Sequence, residues 1–569
     1  MVRPAQCVRA FLLDFFQYDE DVKNTIENLI KEALIKVGAP AVDFTVEHPD
    51  NLSYGDYSTN VALRVMGPIY HGKRDTPYEK GVSMTMWQAG VNEFKNPFDL
   101  AQKLAEVLGS IEGVEKIEAV KPGFINFYLT KEFFKKSLGE IIEAENDFGQ
   151  NTALKGKKFF IEHTQPNPFK KFHIGHLMNN AIGESLVRVI KANGAEVKTA
   201  TYHGDKGMHV AKALWKGDYA VGAKAFEEDE TAKAEIKEIN KKIYDQSDAE
   251  LNKKYEEGRK KSLEDFEKMY ARLGSSFDFH FYESEVADEG KRLVQENIGK
   301  VFEESDGAVV FKGEAFGLHT RVFLSSEGLP TYEAKELGLA ELKKEKFAYD
   351  ESVTITASEQ DAFFKVVEVA IGQVFPELKG KLKHFSHGML RLPTGKMSSR
   401  TGDVITAEDL IESVKEKVKN DEAVAIGAIK YMILRQSIGN DIVFDIDKSV
   451  STEGDSGVYL QYAYARTNSL LEKAGVKGDA SGERKETHEV EKLLYRFPEI
   501  VERAGMDYSP NTVVTYLTEL AGSFNNFYAH EQVISDDAES SYRIAIVEAF
   551  RIVMRNGLNI LGIPAPEKM

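Results

Sequence analysis

Apolar positions recur at helical spacing in VKNTIENLIKEALIKV (residues 22–37), a run that Gly38 closes. The turn-rich stretch HPDNLSYGDYSTNVAL (48–63) follows, then a Gly/Pro-punctuated segment over 67–98 to which no role is assigned. FDLAQKLAEVLGSI (98–111) predicts a second helix, and VEKIEAVKPGFINFYL (114–129) alternates like two strands joined at Pro122-Gly123. These elements make a small α+β module ending near residue 145. From Lys157 the pattern becomes strand, helix, strand: FFIEHT (159–164), HLMNNAIGESLVRVIKANG (176–194) and VKTATYHGD (197–205). In the helix, Met178, Ile182, Leu186 and Val189 share one face, and Asn193-Gly194 is its stop. Units of this kind imply a parallel sheet with right-handed crossovers, with ligands at the carboxyl ends of the strands.

Residues 221–273 are densely charged and helical, which reads as solvated faces inserted into the nucleotide fold. That fold resumes with LPTYEAKELGLAEL (329–342) and the apolar strand VTITAS (353–358), and beyond 401 nearly everything reads as helix. The expected organisation is an N-terminal α+β module (1–145), the first half of an α/β Rossmann-like catalytic domain (146–215), a helical insertion (216–295), its second half (296–400), a helical connector (401–450) and an all-α C-terminal domain (451–569). No internal repeat or low-complexity tract is evident.

A chain of 569 residues exceeds what one core supports, so several domains are needed. A net charge of −18 argues against indiscriminate nucleic-acid binding but leaves room for local basic patches. The lone Cys7 excludes an internal disulfide and a cysteine-cluster zinc site, and points to a reducing, cytoplasmic location. No apolar run approaches the ~20 residues that span a bilayer, so no membrane association is expected. The opening MVRPAQCVRAFLLDFF, interrupted by Asp14, reads as a leader helix and not a signal.

Two stretches carry chemistry. IEHTQPNPFKKFHIGHL (161–177) runs from a strand through a loop to two histidines, His173 and His176, at the mouth of a helix. Each imidazole can donate to phosphate oxygens as an α-phosphate becomes pentavalent, and Gly175 between them allows close backbone approach to a nucleotide. KMSSR (396–400) is a basic, serine-rich loop: Lys396 is a mobile point charge suited to leaving pyrophosphate, and Ser398 and Ser399 can bond its oxygens. Neither a Walker motif nor GxGxxG is present. Taken singly, the first stretch is better read as surface histidines at a helix cap and the second as an exposed basic loop; the pair, in this order, resembles the two ATP-binding signatures of class I aminoacyl-tRNA synthetases.

Along nearly its whole length the chain resembles the arginyl-tRNA synthetase family. GDYSTNVAL, KPGFINFYL, IEHTQPNPFKKFHIGH, SLEDFEKMYARLG, GKMSSRTGDVITAEDL, YLQYAYAR and the terminal RNGLNILGIPAPEKM carry the likeness. Three positions depart from the family pattern. Ser399 stands where the KMSKS pattern has lysine, a charge the family supplies just before HIGH, at Lys170, with Lys171 beside it. Lys206 replaces the tryptophan of GDWG, and Glu336 an aspartate.

The resemblance implies a class I synthetase fold and an ATP-dependent arginine–tRNA ligase: arginine's carboxylate attacks the ATP α-phosphorus, and the terminal adenosine of tRNA(Arg) takes the arginyl group. ATP and its Mg2+ are then required, with no dedicated protein metal site, and the chain is expected to act as a monomer that needs bound tRNA before it activates arginine. Lys170, His173, His176 and Lys396 would be catalytic. Gly175, His387, Gly388, Met389, Met397, Ser398 and Ser399 would meet ATP. Glu162, Asn167, Tyr332, Glu336 and Gln360 would form the arginine pocket. Tyr462, Tyr528 and Met569 would contact the anticodon, and the N-terminal module the tRNA elbow. By residue type alone, Tyr332 and Glu336, four apart, fit a plain surface pair, and the aromatics of QYAYARTNSLL and SFNNFYAHEQ fit core. Which carboxylate meets the guanidinium stays open. The rivals are a class I synthetase for another amino acid and a non-catalytic tRNA-binding paralogue.

Overall fold

The computed structural model describes residues 17–70, 93–391, 393 and 405–569. The chain divides into two compact units: one comprises Met1–Phe148, Arg466–Pro498 and Leu520–Val553, the other Gly149–Ala465, Glu499–Glu519 and Met554–Met569.

The first unit contains a four-stranded antiparallel sheet of β1 (Val46–Glu47), β2 (Tyr57–Thr59), β3 (Val114–Val120) and β4 (Phe124–Leu129), in the order β1-β2-β4-β3. The strands foreseen on either side of Pro122-Gly123 are β3 and β4, paired Val120 to Phe124 and Ile117 to Phe127. Helices Gln17–Lys36 and Pro97–Leu108 bring Ile26, Ile30, Leu100 and Leu104 to a core that holds the fully buried Phe127. The second helix starts where Asn96 Oδ1 accepts the Asp99 N–H at 3.0 Å and Pro97 occupies the first turn.

The second unit is built on a parallel sheet of β5 (Lys158–Glu162), β6 (Glu196–His203), β7 (Phe279–Tyr282), β11 (Glu351–Ala357) and β12 (Leu382–His387), in the order β12-β11-β5-β6-β7. An antiparallel trio, β8 (Glu303–Ser305), β9 (Ala308–Phe311) and β10 (Arg321–Leu324), and the short parallel pair β13 (Leu390–Arg391) and β14 (Ile442–Val443) complete its strands. Strand order reverses between β5 and β11, so the crevice where such sheets bind ligands lies beyond Glu162 and Ala357.

The helix after β5, Ile174–Ala192, buries Met178, Ile182, Leu186 and Val189 as the pattern requires. It also buries Asn179, Asn180, Glu184 and Ser185: Asn179 donates to the Ile355 carbonyl of β11 at 2.7 Å and Asn180 to the Thr164 hydroxyl at 3.1 Å, and helix Glu422–Leu434 packs against the same helix. Helices Met208–Lys216, Tyr219–Glu228, Glu230–Asp245 and Ala249–Leu273 follow β6, closing on a small core of Val210, Ile236, Ile243 and Tyr255 with their charges outward. The sheet is resumed by β7, inside the 216–295 stretch read as insertion: Phe279 and Phe281 both stack near Phe160.

Buried polar struts tie this unit together. Lys430, 1% exposed, donates to the Leu273 carbonyl at 2.6 Å and the Gly562 carbonyl at 2.7 Å, at the ends of two helices. Arg188 donates to Glu184 at 2.6 Å, to the Gly274 carbonyl at 2.8 Å and to the Asn559 carbonyl at 2.9 Å. Among the described residues no helix is long and apolar enough to cross a membrane.

Candidate active site

Among the described residues, Glu162 ends β5, Asn167, Lys170, His173 and Gly175 follow it, Gln360 follows β11, His387 ends β12, Gly388 and Met389 follow it, and Tyr332 and Glu336 lie in the first turns of the helix Tyr332–Lys346. The loop from β5 to the helix is conformationally demanding, with Thr164 (φ 78°), Gln165 (φ 49°) and Phe169 (φ 66°) in the left-handed region without glycine. It ends at His173, whose Nδ1 accepts the Gly175 N–H at 3.1 Å, while His176 Nδ1 accepts the His173 N–H at 3.2 Å. This is a reciprocal capping box made of imidazoles in place of the usual hydroxyl and carboxylate. The rings stack with centroids 3.6 Å apart. Gly175 is required by that arrangement, since a Cβ there would lie 3.0 Å from the His173 ring.

The hydrogen bonds set the chemistry. A neutral imidazole whose Nδ1 accepts carries its proton on Nε2, so both histidines retain an Nε2–H donor. Burial, and then the Lys170 charge, hold His173 below the usual imidazole range. His176 is held well below it, by burial first and then by His173, Lys170 and His203. The pair is therefore neutral at physiological pH. The Lys170 ammonium lies 5.0 Å from the centre of the Tyr219 ring.

Lys396, Met397, Ser398 and Ser399 lie outside the described residues, but both flanks of their segment are described. Downstream, Ile174 N–H donates to the Ile405 carbonyl at 3.3 Å and Ala407 N–H to the Phe172 carbonyl at 2.9 Å, bridging His173 to Thr406. Upstream, the buried His387 ends β12 and donates through Nδ1 to the Gly388 carbonyl at 2.8 Å; burial lowers its pKa. Met389 N–H reaches Asp441 at 2.8 Å, and a Cβ on Gly388 would meet the Asn440 carbonyl group at 2.4 Å. The described residues that flank the second signature are thus Gly388 and Met389, beside Asn440 and Asp441, on one side and Ile405–Ala407, at the helix mouth, on the other.

Of the predicted arginine-pocket residues, Glu336 lies by Glu162 beyond β5, and Asn167 and Tyr332 lie by Glu283. Glu162 is 2% exposed; its Oε1 accepts from Gln165, and the Lys343 ammonium lies 2.5 Å from Oε2 as an ion pair without hydrogen-bond direction. Glu336 shares a helix (Tyr332–Lys346) with Lys343, and its carboxyl is pushed up to about 8, by burial first and then by the Glu162 charge. Tyr332, at the start of that helix, is exposed beside Lys335. Asn167 Oδ1 accepts the Gly204 N–H at 2.8 Å, leaving its amide N–H groups for a ligand. Gln360 is exposed on a turn after β11.

Several residues missed in the sequence belong here. Glu283, at the end of β7, pairs with Lys335 at 2.6 Å, both 8% exposed. The Tyr202 hydroxyl is buried without a partner, facing the charges of Glu283, Glu336 and Glu162, which with burial push its pKa well up. Lys343 follows Glu336 by two helical turns, a same-face spacing that could have found it. The departure at Lys206 does not loosen its loop: Asp205 beside it is fully buried and takes Arg259 at 3.0 Å and the Ser284 hydroxyl at 2.7 Å. Of the tRNA candidates, Tyr462 (39%), Tyr528 (38%) and Met569 (43%) are exposed, whereas Tyr464 and Phe527 are core.

Comparison with known proteins completes the picture. A family model described as the catalytic domain of class I tRNA synthetases (R) matches residues 138–214 and 215–446. The arginyl tRNA synthetase N-terminal domain matches 24–129, and the DALR anticodon binding domain 460–569. The arginine–tRNA ligase of Treponema denticola is 29% identical, the match covering 97% of this chain and all of that one. That of Streptococcus mutans is 31% identical over 82% of this chain and 90% of its own. The fold matches that of arginyl-tRNA synthetase from Thermus thermophilus, with a TM-score of 0.71 at 22% identity over 96% of this chain and all of that one. It also matches the enzyme from Plasmodium falciparum, with a TM-score of 0.74 at 18% identity over 96% and 99%.

Proposed function

The chain belongs to the class I arginyl-tRNA synthetase family, and from that premise we propose how its own residues carry out the ligation of arginine to tRNA. It is an arginine–tRNA ligase. In the first step an arginine carboxylate oxygen bonds to the ATP α-phosphorus and the bond to the bridging oxygen of pyrophosphate breaks. His173 and His176 donate through Nε2–H to oxygens that gain charge in the pentavalent state, and Lys170 and Lys396 meet the triphosphate from the two flanks. Ser398 and Ser399 hold the leaving pyrophosphate, and His387, Gly388, Met389 and Met397 line the adenine. In the second step the 2′-hydroxyl of the terminal adenosine attacks the arginyl carbonyl and AMP leaves.

The neutral imidazole pair is the observation that carries this reading. Two charge-free donors fixed side by side, with the backbone of Ile405 and Ala407 hydrogen-bonded at the helix mouth, suit a group whose negative charge spreads over several oxygens. Magnesium accompanying ATP neutralises phosphate charge. The donors at this end are imidazole and ammonium groups, so the described residues fit a metal held by the nucleotide's phosphates.

The substrate side chain is read by Glu162, Tyr332 and Glu336, and its ammonium and carboxylate by Asn167 and Gln360. The exposed Tyr462, Tyr528 and Met569 offer stacking and apolar contact to single-stranded bases of the anticodon. The lone cysteine supports work in the reducing cytoplasm. The test is to charge total tRNA with each of the twenty amino acids. Arginine alone should be attached; attachment of another amino acid would favour a synthetase of different specificity, and no attachment a tRNA-binding paralogue.

A further inference from the structure

The carboxylates beyond β5 are unusual in how much of their charge is already answered from within. The charges of Glu283, Glu336 and Glu162 all act on the buried Tyr202 hydroxyl, and those of Glu162 and Glu283 act on Glu336. Lys343 lies on Glu162 at 2.5 Å and Lys335 on Glu283 at 2.6 Å, each lysine at most 8% exposed. With all three carboxylates ionised, the two ammonium groups leave one negative charge. Glu333, on the same helix as Glu336, is drawn to Arg321 at 3.3 Å. The groups facing Glu336 are thus Glu162 from β5, Tyr202 from β6, Glu283 from the end of β7, and Glu333 and Lys343 from its own helix. Glu368 and Lys383 line a small cavity together with Glu336 and Lys343.

We propose that Lys343 is a positioning residue of the arginine pocket: its ammonium holds the Glu162 carboxylate in place and cancels its charge, so that the pocket's uncompensated negative charge rests on Glu336. This inference rests on the arginine–tRNA ligase reading. An arginine side chain brings one positive charge and five N–H donors, and a pocket with one net negative charge accepts it without leaving a buried carboxylate unpaired afterwards. Were Lys343 absent, Glu162 and Glu336 would repel across a poorly solvated space, and the Glu336 carboxyl would keep the proton that arginine has to displace to a still higher pH. The burial that raises the Glu336 carboxyl to about 8 is consistent with this residue as the group that titrates when arginine enters.

The experiment compares the full-length enzyme with Lys343→Met and Lys343→Arg, measuring KM for arginine and for ATP in aminoacylation from pH 6.5 to 9.5. In the unaltered enzyme the arginine KM should fall as pH rises through about 8. Lys343→Met should raise it roughly tenfold at pH 7.5 and move the midpoint upward, with the ATP KM unchanged, whereas Lys343→Arg should restore the midpoint. A Lys343→Met profile that overlays the unaltered one, or ATP and arginine KM values that rise together, would overturn the proposal. Should Lys343→Met not fold, calorimetry on the unaltered enzyme decides: arginine binding should release a fraction of one proton below pH 8, and release of none or of two contradicts a single free carboxylate. Failure to charge arginine at all would instead remove the ligase reading beneath it.

Discussion

At the helix mouth, His173 and His176 are kept neutral by burial and present donors without charge; around Glu162 and Glu336, charged groups are buried in number and answered by internal lysines. Both regions sit at the carboxyl end of one sheet, separated by the loop that follows β5. Under the proposed assignment, the contrast follows from what each receives. A triphosphate brings several negative charges that redistribute during reaction, so fixed neutral donors with cations at their flanks can follow that charge without trapping the product. A guanidinium keeps its one charge throughout, so a pocket with one free carboxylate suffices, and any further buried carboxylate needs a resident counter-ion.

The sharpest way to break this contrast is at the donor end. His176→Ala should cut adenylate formation by on the order of 10²- to 10³-fold while leaving tRNA affinity intact, measured by single-turnover adenylate formation and by filter binding. An equal loss of both would show a folding role. At the other end, Glu336→Gln should raise the arginine KM by on the order of 10²-fold and flatten its pH dependence, with the ATP KM unaffected.

Smaller effects bear on the scaffold shared by both ends. Lys430→Met should lower stability by about 1–3 kcal/mol, because the Leu273 and Gly562 carbonyls lose their donor. It should also change the slope of stability with pH. The folded state holds Lys430 down at about 7 against an ordinary 10.5, so the unfolded chain binds the extra proton between those values and unaltered stability rises with pH across that window. The variant should lack that rise in denaturant titrations at pH 7.5 and 9.5. Arg272→Ala, which breaks half-exposed pairs with Glu412 and Glu422, should shift stability by about 1 kcal/mol or less.

Much of this was legible in the residues, and the rest was hidden for identifiable reasons. The alternation of VEKIEAVKPGFINFYL and the Asn193-Gly194 stop led directly to β3, β4 and the end of the signature helix, because local pattern and tertiary context agree there. β7 escaped because only four residues long, it lies among charged helices, although Phe277, Phe279 and Phe281 alternate as a strand requires. Lys343 escaped because it is one of several lysines in KELGLAELKKEK, and although its spacing places it on the Glu336 face, its contact with Glu162 is made only in the tertiary fold. The reciprocal bonds of His173 and His176 were not predicted either, since histidine is not among the residues that ordinarily cap a helix.

The two ends of the site should answer differently to protons. Steady-state KM values for ATP and for arginine, measured side by side on the unaltered enzyme from pH 6.5 to 9.5, test this most directly. The ATP value should stay flat, because the imidazoles are already neutral throughout, while the arginine value should fall through about pH 8 as Glu336 ionises. A flat arginine profile, or two profiles that move together, would contradict it.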